Sequence, residues 1–409
     1  MIETSASEER VLVVTLAENG EDDNALRRMD EEAINLLDTL GLHVVSTLTF
    51  PIKSINSATY IGSGQAEEVK LHALQFDATL VYFDTALSGR NNRNLEALLE
   101  LPVMDRNELI IEIFATRART REARLQVALA RCQFLLPRLK QGANPYSQQR
   151  GGVRGAKGEG ERQIELDRRR LEEEIGRLKK EIETVRRQRR TQRKRRLAGD
   201  TVSFALVGYT NSGKSSLLKA LTGQDTFCED KLFATLDPLE RTLELDIGLK
   251  VLLCDTVGFV SRLPHFLIDA FSSTLEEATL ADALILVLDG SDEKIVDDYE
   301  TTLSVLGELE ALDKPMAVVF NKCDMERGDE VGLATIAAMR KPSFSTSAKT
   351  GEGLEALKSW MKDQALSLSH VERITLALDD AQAIAEVYAQ GGIISADYQA
   401  ESVTFTLRK

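Results

Sequence analysis

The chain has 409 residues, more than one hydrophobic core usually spans, so about three or four domains are expected. No apolar run approaches the roughly 18 residues of a membrane span, and the acidic start lacks the basic-then-apolar order of a secretory signal, so a soluble cytoplasmic protein is expected. Four scattered cysteines, Cys132, Cys228, Cys254 and Cys323, form no C-x-x-C pair and read as reduced rather than as a disulfide framework or metal site; a net charge of -14 suggests a chain that avoids nucleic acid unless that charge is unevenly spread.

Residues 11–16 read as a first strand. A helix through 33–40, a strand at 43–48, a helix beginning near Gln65, a strand at 78–83 and helices around 95–99 and 108–114 follow. This alternation predicts a small α/β domain with a largely parallel sheet over residues 1–115.

The pattern then changes. Leu125, Leu129, Cys132, Leu136 and Leu139 recur at alternating steps of four and three, the narrow seam of one helix. After a glycine-rich break, 142–160, a heptad frame resumes with Ile164, Leu171, Ile175, Leu178, Ile182 and Val185, interrupted by Arg168. Two seams joined by a loop predict an antiparallel helical hairpin over 116–199. Charge is concentrated here: residues 117–196 hold 25 Lys and Arg against 10 Asp and Glu, leaving the remainder at -29. A basic limb meant for a polyanion fits this split, and so does a solvated helical linker. The tip carries Arg150, Arg154 and Lys157 among glycines. It fits a segment that orders on RNA through those three residues, or a disordered connector.

Residues 200–367 alternate strand and helix again and carry four motifs in order. The apolar strand 202–207 runs into Gly208-Tyr209-Thr210-Asn211-Ser212-Gly213-Lys214-Ser215, and a helix continues from Ser216, the context of a phosphate-binding loop. Its glycines let backbone N–H groups wrap phosphates and the helix N-terminus adds positive potential; Lys214 should reach the β- and γ-phosphates, and the Ser215 hydroxyl should ligate Mg²⁺. A buried strand then ends in Asp255-Thr256-Val257-Gly258, where Asp255 would hold Mg²⁺ through a water and Gly258 would offer its N–H to the γ-phosphate. A third strand ends in Asn321-Lys322-Cys323-Asp324. The Asp324 carboxylate accepts from both N1–H and the exocyclic amine of guanine, donors that adenine lacks in that arrangement, so the expected nucleotide is GTP, selected by roughly 10⁴-fold. Asn321 and Lys322 brace the base loop, and Ser347-Ala348-Lys349 should bring the Ala348 N–H near guanine O6. Residues 368–409 read as strand, helix and paired strands around Gly391 and Gly392. The fold class expected is α/β: a P-loop NTPase domain after a small α/β domain and a helical hairpin, with a small α+β appendage.

The four motifs resemble the translation-factor class of P-loop GTPases over about residues 200–367. Phe233-Ala234-Thr235-Leu236-Asp237-Pro238 looks like the mobile loop of the Obg and HflX branch, which implies Thr235 as a second Mg²⁺ ligand. The whole layout, with Gly155-Ala156-Lys157-Gly158-Glu159-Gly160-Glu161 leading into the second helix, is similar to the HflX family over nearly the full chain. That resemblance implies a Mg-dependent GTPase that binds the large ribosomal subunit and its RNA and separates stalled or idle ribosomes, monomeric when free. The sequence departs from the pattern in lacking a proline after the Arg-Gly pair of the tip. It also has Gln65 after Gly62-Ser63-Gly64, where a lysine is common.

Phe259 follows Gly258 where a glutamine would orient the attacking water, so slow turnover without an activating partner is expected. Lys214, Thr235 and Gly258 remain as catalytic candidates. Asn211 joins them, because its place in G-x-x-N-x-G-K-S resembles GTPases in which K⁺ replaces an arginine finger. A rival reading is a guanine-nucleotide switch that scaffolds a protein complex, peripheral to a membrane, without touching RNA. An ATPase acting through the N-terminal domain ranks third, since no complete phosphate loop lies there.

Overall fold

The computed structural model describes residues 9–17, 23–52, 54–139, 157–196, 201–223, 233, 239–246, 249–260, 264, 266–267, 277–369, 371–390 and 393–408. The chain divides into two units, Met1–Thr184 with Pro264–Ala270, and Val185–Leu263 with Phe271–Lys409.

The first unit opens with β1 (Arg10–Ala17), α1 (Asp23–Thr39), β2 (His43–Pro51), α2 (Ser63–Gln75), β3 (Leu80–Phe83), α3 (Gly89–Leu99), β4 (Val103–Asp105) and α4 (Arg106–Arg117). Its four strands lie in the order β2-β1-β3-β4, all parallel. Residues 11–17 of β1 are buried without alternation, as expected of a parallel strand covered on both faces. Leu12, Val14, Val81, Phe83 and Leu95 share one core. The strand β4 is an addition to the sequence reading, too short to show a period.

Acids at the strand ends of this sheet are tied to arginines. Asp84 accepts from Arg106 at 2.6 Å and from the Tyr82 hydroxyl at 2.8 Å, while Arg106 also reaches Glu32 at 2.9 Å. Asp105 caps α4 by accepting from the Glu108 N–H at 2.9 Å, and its other oxygen takes the Leu87 N–H at 2.9 Å and Arg138 at 2.6 Å. Gln65 closes the start of α2, its side-chain oxygen accepting from the Gly62 N–H at 2.9 Å.

The hairpin helices are α5 (Arg121–Leu139) and α6 (Lys157–Arg196), the latter 40 residues long. Leu129, Leu178 and Ile182 are buried together, with Leu125, Cys132 and Ile175 packed against them, and Arg121 meets Glu181 at 3.5 Å. Arg168, the polar interruption of the seam, is held by Glu165 at 3.0 Å and Glu172 at 2.8 Å. Arg150 and Arg154 lie outside the described residues. Lys157 is the first residue of α6, so residues 157–160, expected to belong to a loose tip, open the helix instead. Phe134 of α5 stacks on Phe266 with ring centroids 6.5 Å apart, and the neighbouring Leu267 is fully buried.

The second unit contains β5 (Ser203–Val207), α7 (Lys214–Thr222), β6 (Leu239–Asp246), β7 (Leu249–Asp255), β8 (Ala283–Asp289), α8 (Ile295–Glu308), β9 (Met316–Asn321), α9 (Glu330–Met339), β10 (Ser343–Ser345) and α10 (Leu354–Leu368). The sheet order is β10-β9-β8-β5-β7-β6, parallel except for β6, which runs antiparallel to β7 at the edge. Phe204, Leu206, Leu217, Leu253, Ile285, Leu357 and Met361 form its core, and Trp360 meets Phe204 edge-on at 5.9 Å.

An antiparallel sheet β11-β13-β12 follows, made of β11 (Val371–Ala377), β12 (Ile393–Tyr398) and β13 (Ser402–Arg408), with α11 (Ala381–Gln390) between the first two in sequence. The paired strands turn at residues 399–401, where Gln399 donates to Ser402 at 2.7 Å. The sequence reading centred the paired strands on Gly391 and Gly392, which lie outside the described residues; the two strands found to pair across a tight turn are β12 and β13. Among the described residues no helix is long and apolar enough to cross a membrane.

Candidate nucleotide site

The central strand β5 has β7 on one side and β8 on the other, the arrangement in which a crevice is expected beyond a strand's carboxyl end. Residues 208–213 fill the step from β5 into α7. Gly213 sits at φ +90°, and a Cβ there would lie 2.2 Å from the Asn321 side-chain nitrogen, so glycine is required both by the backbone and by its neighbour. Asn211 adopts φ +61°, a region that Asn tolerates better than most residues, and its side chain is exposed.

Lys214 is buried, and its ammonium donates to the carbonyls of Gly208 at 3.1 Å and Tyr209 at 2.6 Å. Burial pushes its pKa down to about 8, opposed by the nearby carboxylates of Asp255 and Asp298. The Ser215 hydroxyl donates to Asp255 at 2.6 Å. These two side chains, joined from the start of α7 and the end of β7, supply hard oxygen donors of the kind Mg²⁺ prefers. Thr256 is buried and donates to the Leu206 carbonyl at 2.6 Å, tying the β7 exit to β5.

The segment after β7 is zipped to the phosphate loop. The Thr210 N–H donates to the Phe259 carbonyl at 2.7 Å and the Phe259 N–H to the Gly208 carbonyl at 3.1 Å. Gly258 is thereby brought beside Lys214: a Cβ on Gly258 would stand 3.0 Å from the ammonium nitrogen. Phe259 itself is 1% exposed, an apolar ring with no group to hold water.

The third corner of the site is made by Asn321, which donates to the Ser212 carbonyl at 3.0 Å and accepts from the Ala348 N–H at 3.1 Å. One amide thus links the phosphate loop to the loop after β10. The Ala348 N–H, expected from the sequence to face guanine O6, is engaged by Asn321 in this structure. Ser347 donates to Asp324 at 2.6 Å, and that hydrogen bond holds the Asp324 carboxyl below its usual range. Lys322, at φ +63°, bonds Asp289 at 2.6 Å. The reading of the sequence missed Asp289, although its position at the end of the apolar run 283–288 and before Gly290 marks it.

The structure brings residues 208–216, Asp255, Gly258, Asn321, Lys322, Asp324 and residues 347–349 to one edge of one sheet. Thr235, Arg150 and Arg154 lie outside the described residues, and Lys157 stands at the head of α6 in the other unit. A phosphate loop on the central strand, a strand-end Asp-x-x-Gly and an Asn-Lys-x-Asp loop on one parallel sheet define a P-loop GTPase.

Comparison with known proteins carries this to a family. Residues 203–322 match the family model described as "50S ribosome-binding GTPase", residues 117–196 that of a GTP-binding GTPase middle region, and residues 27–115 that of a GTP-binding GTPase N-terminal region. The chain is 48% identical over 347 residues to a GTPase HflX of Treponema denticola, covering 83% of this chain and 88% of that one. It is 36% identical over 404 residues to a GTPase HflX of Caldanaerobacter subterraneus, covering 99% and 92%. A solved GTP-binding protein of Sulfolobus solfataricus in complex with GDP is 27% identical, with a TM-score of 0.47, covering 88% of this chain and 100% of that one. The chain belongs to the HflX family of GTPases and hydrolyses GTP.

Proposed function

We propose that this GTPase is a cytoplasmic switch that binds the large ribosomal subunit and separates ribosomal subunits, monomeric when free. The observation that carries the reading is the charge split, 25 basic against 10 acidic residues within 117–196 in a chain that is otherwise acidic. The helices of that stretch form a hairpin suited to phosphate-rich RNA, and the family model matched by residues 203–322 is described as a 50S ribosome-binding GTPase.

In this reading residues 208–216 cradle the phosphates, and Lys214 and Gly258 contact the γ-phosphate. Ser215 and Thr235 would ligate Mg²⁺ and Asp255 would hold it through water, while Asp324 selects guanine with Asn321, Lys322 and residues 347–349 in support. Bound there, the ion would supply charge neutralisation at the phosphates. GTP favours docking of the hairpin, with Arg150, Arg154 and Lys157 on ribosomal RNA, and hydrolysis releases the factor. Asn211, exposed within the phosphate loop, would bring in K⁺ where no arginine finger is supplied.

GTP turnover with and without large subunits, in K⁺ and in Na⁺, tests this directly. Strong stimulation by subunits is expected, greater in K⁺; equal rates in the two salts would remove the role of Asn211. Deleting 142–160 should abolish subunit separation while leaving GTP affinity intact, and a deletion variant that still splits ribosomes would refute the role of the tip. Steep weakening by salt favours RNA docking over an apolar protein interface.

A further inference from the structure

The residue after Gly258 is phenylalanine, whose buried ring cannot orient the attacking water. A candidate stands on the other side of the same point. The Cα and Cγ2 of Thr210 lie 2.8 and 2.9 Å from the position a Cβ on Gly258 would take, and the Lys214 nitrogen lies 3.0 Å from it. Thr210 therefore borders the spot on which Lys214 and Gly258 converge. Its backbone is fixed there by the hydrogen bond to Phe259.

Thr210 is only 6% exposed, and its hydroxyl has no hydrogen-bond partner. Buried hydroxyls are normally satisfied, and leaving one unpaired costs stability. Other buried threonines of this chain follow the rule: Thr15 donates to Asp30, Thr39 to the Asn35 carbonyl, Thr256 to the Leu206 carbonyl and Thr302 to the Asp298 carbonyl. Thr346 is also unpartnered, but it belongs to the strand end beyond β10 and not to the phosphate loop. Ser212, a second unpartnered hydroxyl of the loop, stands beside Gly208, 3.3 Å from its Cβ position, where the Val287 carbonyl also lies. Of these residues Thr210 is the one with atoms, its Cα and its methyl Cγ2, at the Lys214 and Gly258 corner.

We propose that the Thr210 hydroxyl is a catalytic group that orients the water attacking the γ-phosphorus of GTP, an inference that rests on residues 208–215 being the GTP site. A threonine hydroxyl offers one donor and two acceptor positions. It accepts a hydrogen bond from the water and donates a hydrogen bond to a γ-phosphoryl oxygen, setting the nucleophile in line. The water oxygen then bonds to the γ-phosphorus as the bond from that phosphorus to the β–γ bridging oxygen breaks; GDP leaves and the water's protons remain with the released phosphate and solvent. The hydroxyl is unchanged at the end.

The test uses the full chain with Mg²⁺, measuring single-turnover hydrolysis and, separately, affinity for a non-hydrolysable GTP analogue. Thr210→Val removes the hydroxyl at nearly constant shape, and the rate should fall about 100-fold with analogue affinity held within about twofold. Thr210→Ser keeps the hydroxyl and should retain the rate within about threefold. Hydrolysis by Thr210→Val at the wild-type rate overturns the proposal, as does a Thr210→Ser enzyme as slow as the valine variant. Loss of analogue affinity in step with rate also overturns it, making the hydroxyl a binding group. Should valine disturb folding, judged by thermal melting, Thr210→Ala is read by the same criteria. Lys214→Ala is the control for the underlying site: analogue affinity equal to wild type in that variant would mean that the GTP site itself is misassigned.

Discussion

The two parallel sheets of this chain both end strands on acids, and they treat those acids in opposite ways. In the N-terminal sheet Asp84 and Asp105 are each closed off by a guanidinium, from Arg106 and Arg138. In the GTPase sheet Asp255 accepts from a serine hydroxyl, while the nearby Lys214 spends its hydrogen bonds on backbone carbonyls. A carboxylate locked to a fixed cation is a brace. One that faces a hydroxyl beside a phosphate loop can take a divalent ion, and the lysine can exchange carbonyls for phosphate oxygens. The position of an acid at the carboxyl end of a parallel strand is thus only half of a functional signal; the other half is what neutralises it.

The contrast can be broken most severely at Lys214. Lys214→Ala should lower GTP turnover by roughly 10³-fold or more, read by phosphate release, with little change in the stability of the N-terminal unit. The opposite result is expected from Arg106→Met, which removes the guanidinium paired with the buried Asp84: urea unfolding of the N-terminal unit should show a loss of about 3 to 5 kcal/mol, while folded protein keeps its GTP affinity. Asp324→Asn, at an exposed position, should weaken GTP about 100-fold by direct binding measurement and leave the melting temperature unmoved.

The smallest effect concerns Glu108, whose pKa is pushed up to about 7 by burial and then by the charge of Asp105, with Arg138 opposing. The native state holds a proton on Glu108 at pH values where the unfolded chain, at about 4.5, has lost it. Stability should therefore fall as pH rises from about 4.5 to 7 and stay lower above that. With 36% of the side chain exposed the effect is screened, so Glu108→Gln should modestly flatten the decline in melting temperature between pH 5 and pH 8. A variant with an unchanged pH profile would show that this acid cluster is fully neutralised by arginine.

The GTPase sheet was legible because its polar residues interrupt long apolar runs at fixed points: Gly208 after 202–207, Asp255 after 249–254, Asn321 after 316–320. The hairpin was legible from Leu125, Leu129, Leu178 and Ile182, whose spacing is their packing. What escaped was set by partners distant in sequence. The three residues of β4 carry no period, and nothing near Asp289 announces Lys322. Glycine pairs often mark turns, so the sequence reading centred the paired strands on Gly391 and Gly392, yet Gln399 and Ser402 close the hairpin of β12 and β13. The unpartnered Thr210 hydroxyl was hidden inside a motif already explained by its glycines and lysine.

The grouping of residues 264–270 with the first unit has a consequence for how the chain is made. Phe266 and Leu267, which join Phe134 in that unit, are synthesised after β5, α7, β6 and β7 of the other. At ~5–20 residues per second the hairpin waits on the order of ten seconds for them. The units mature interleaved, and a fragment ending at Thr184 lacks part of the unit it would be cut to represent.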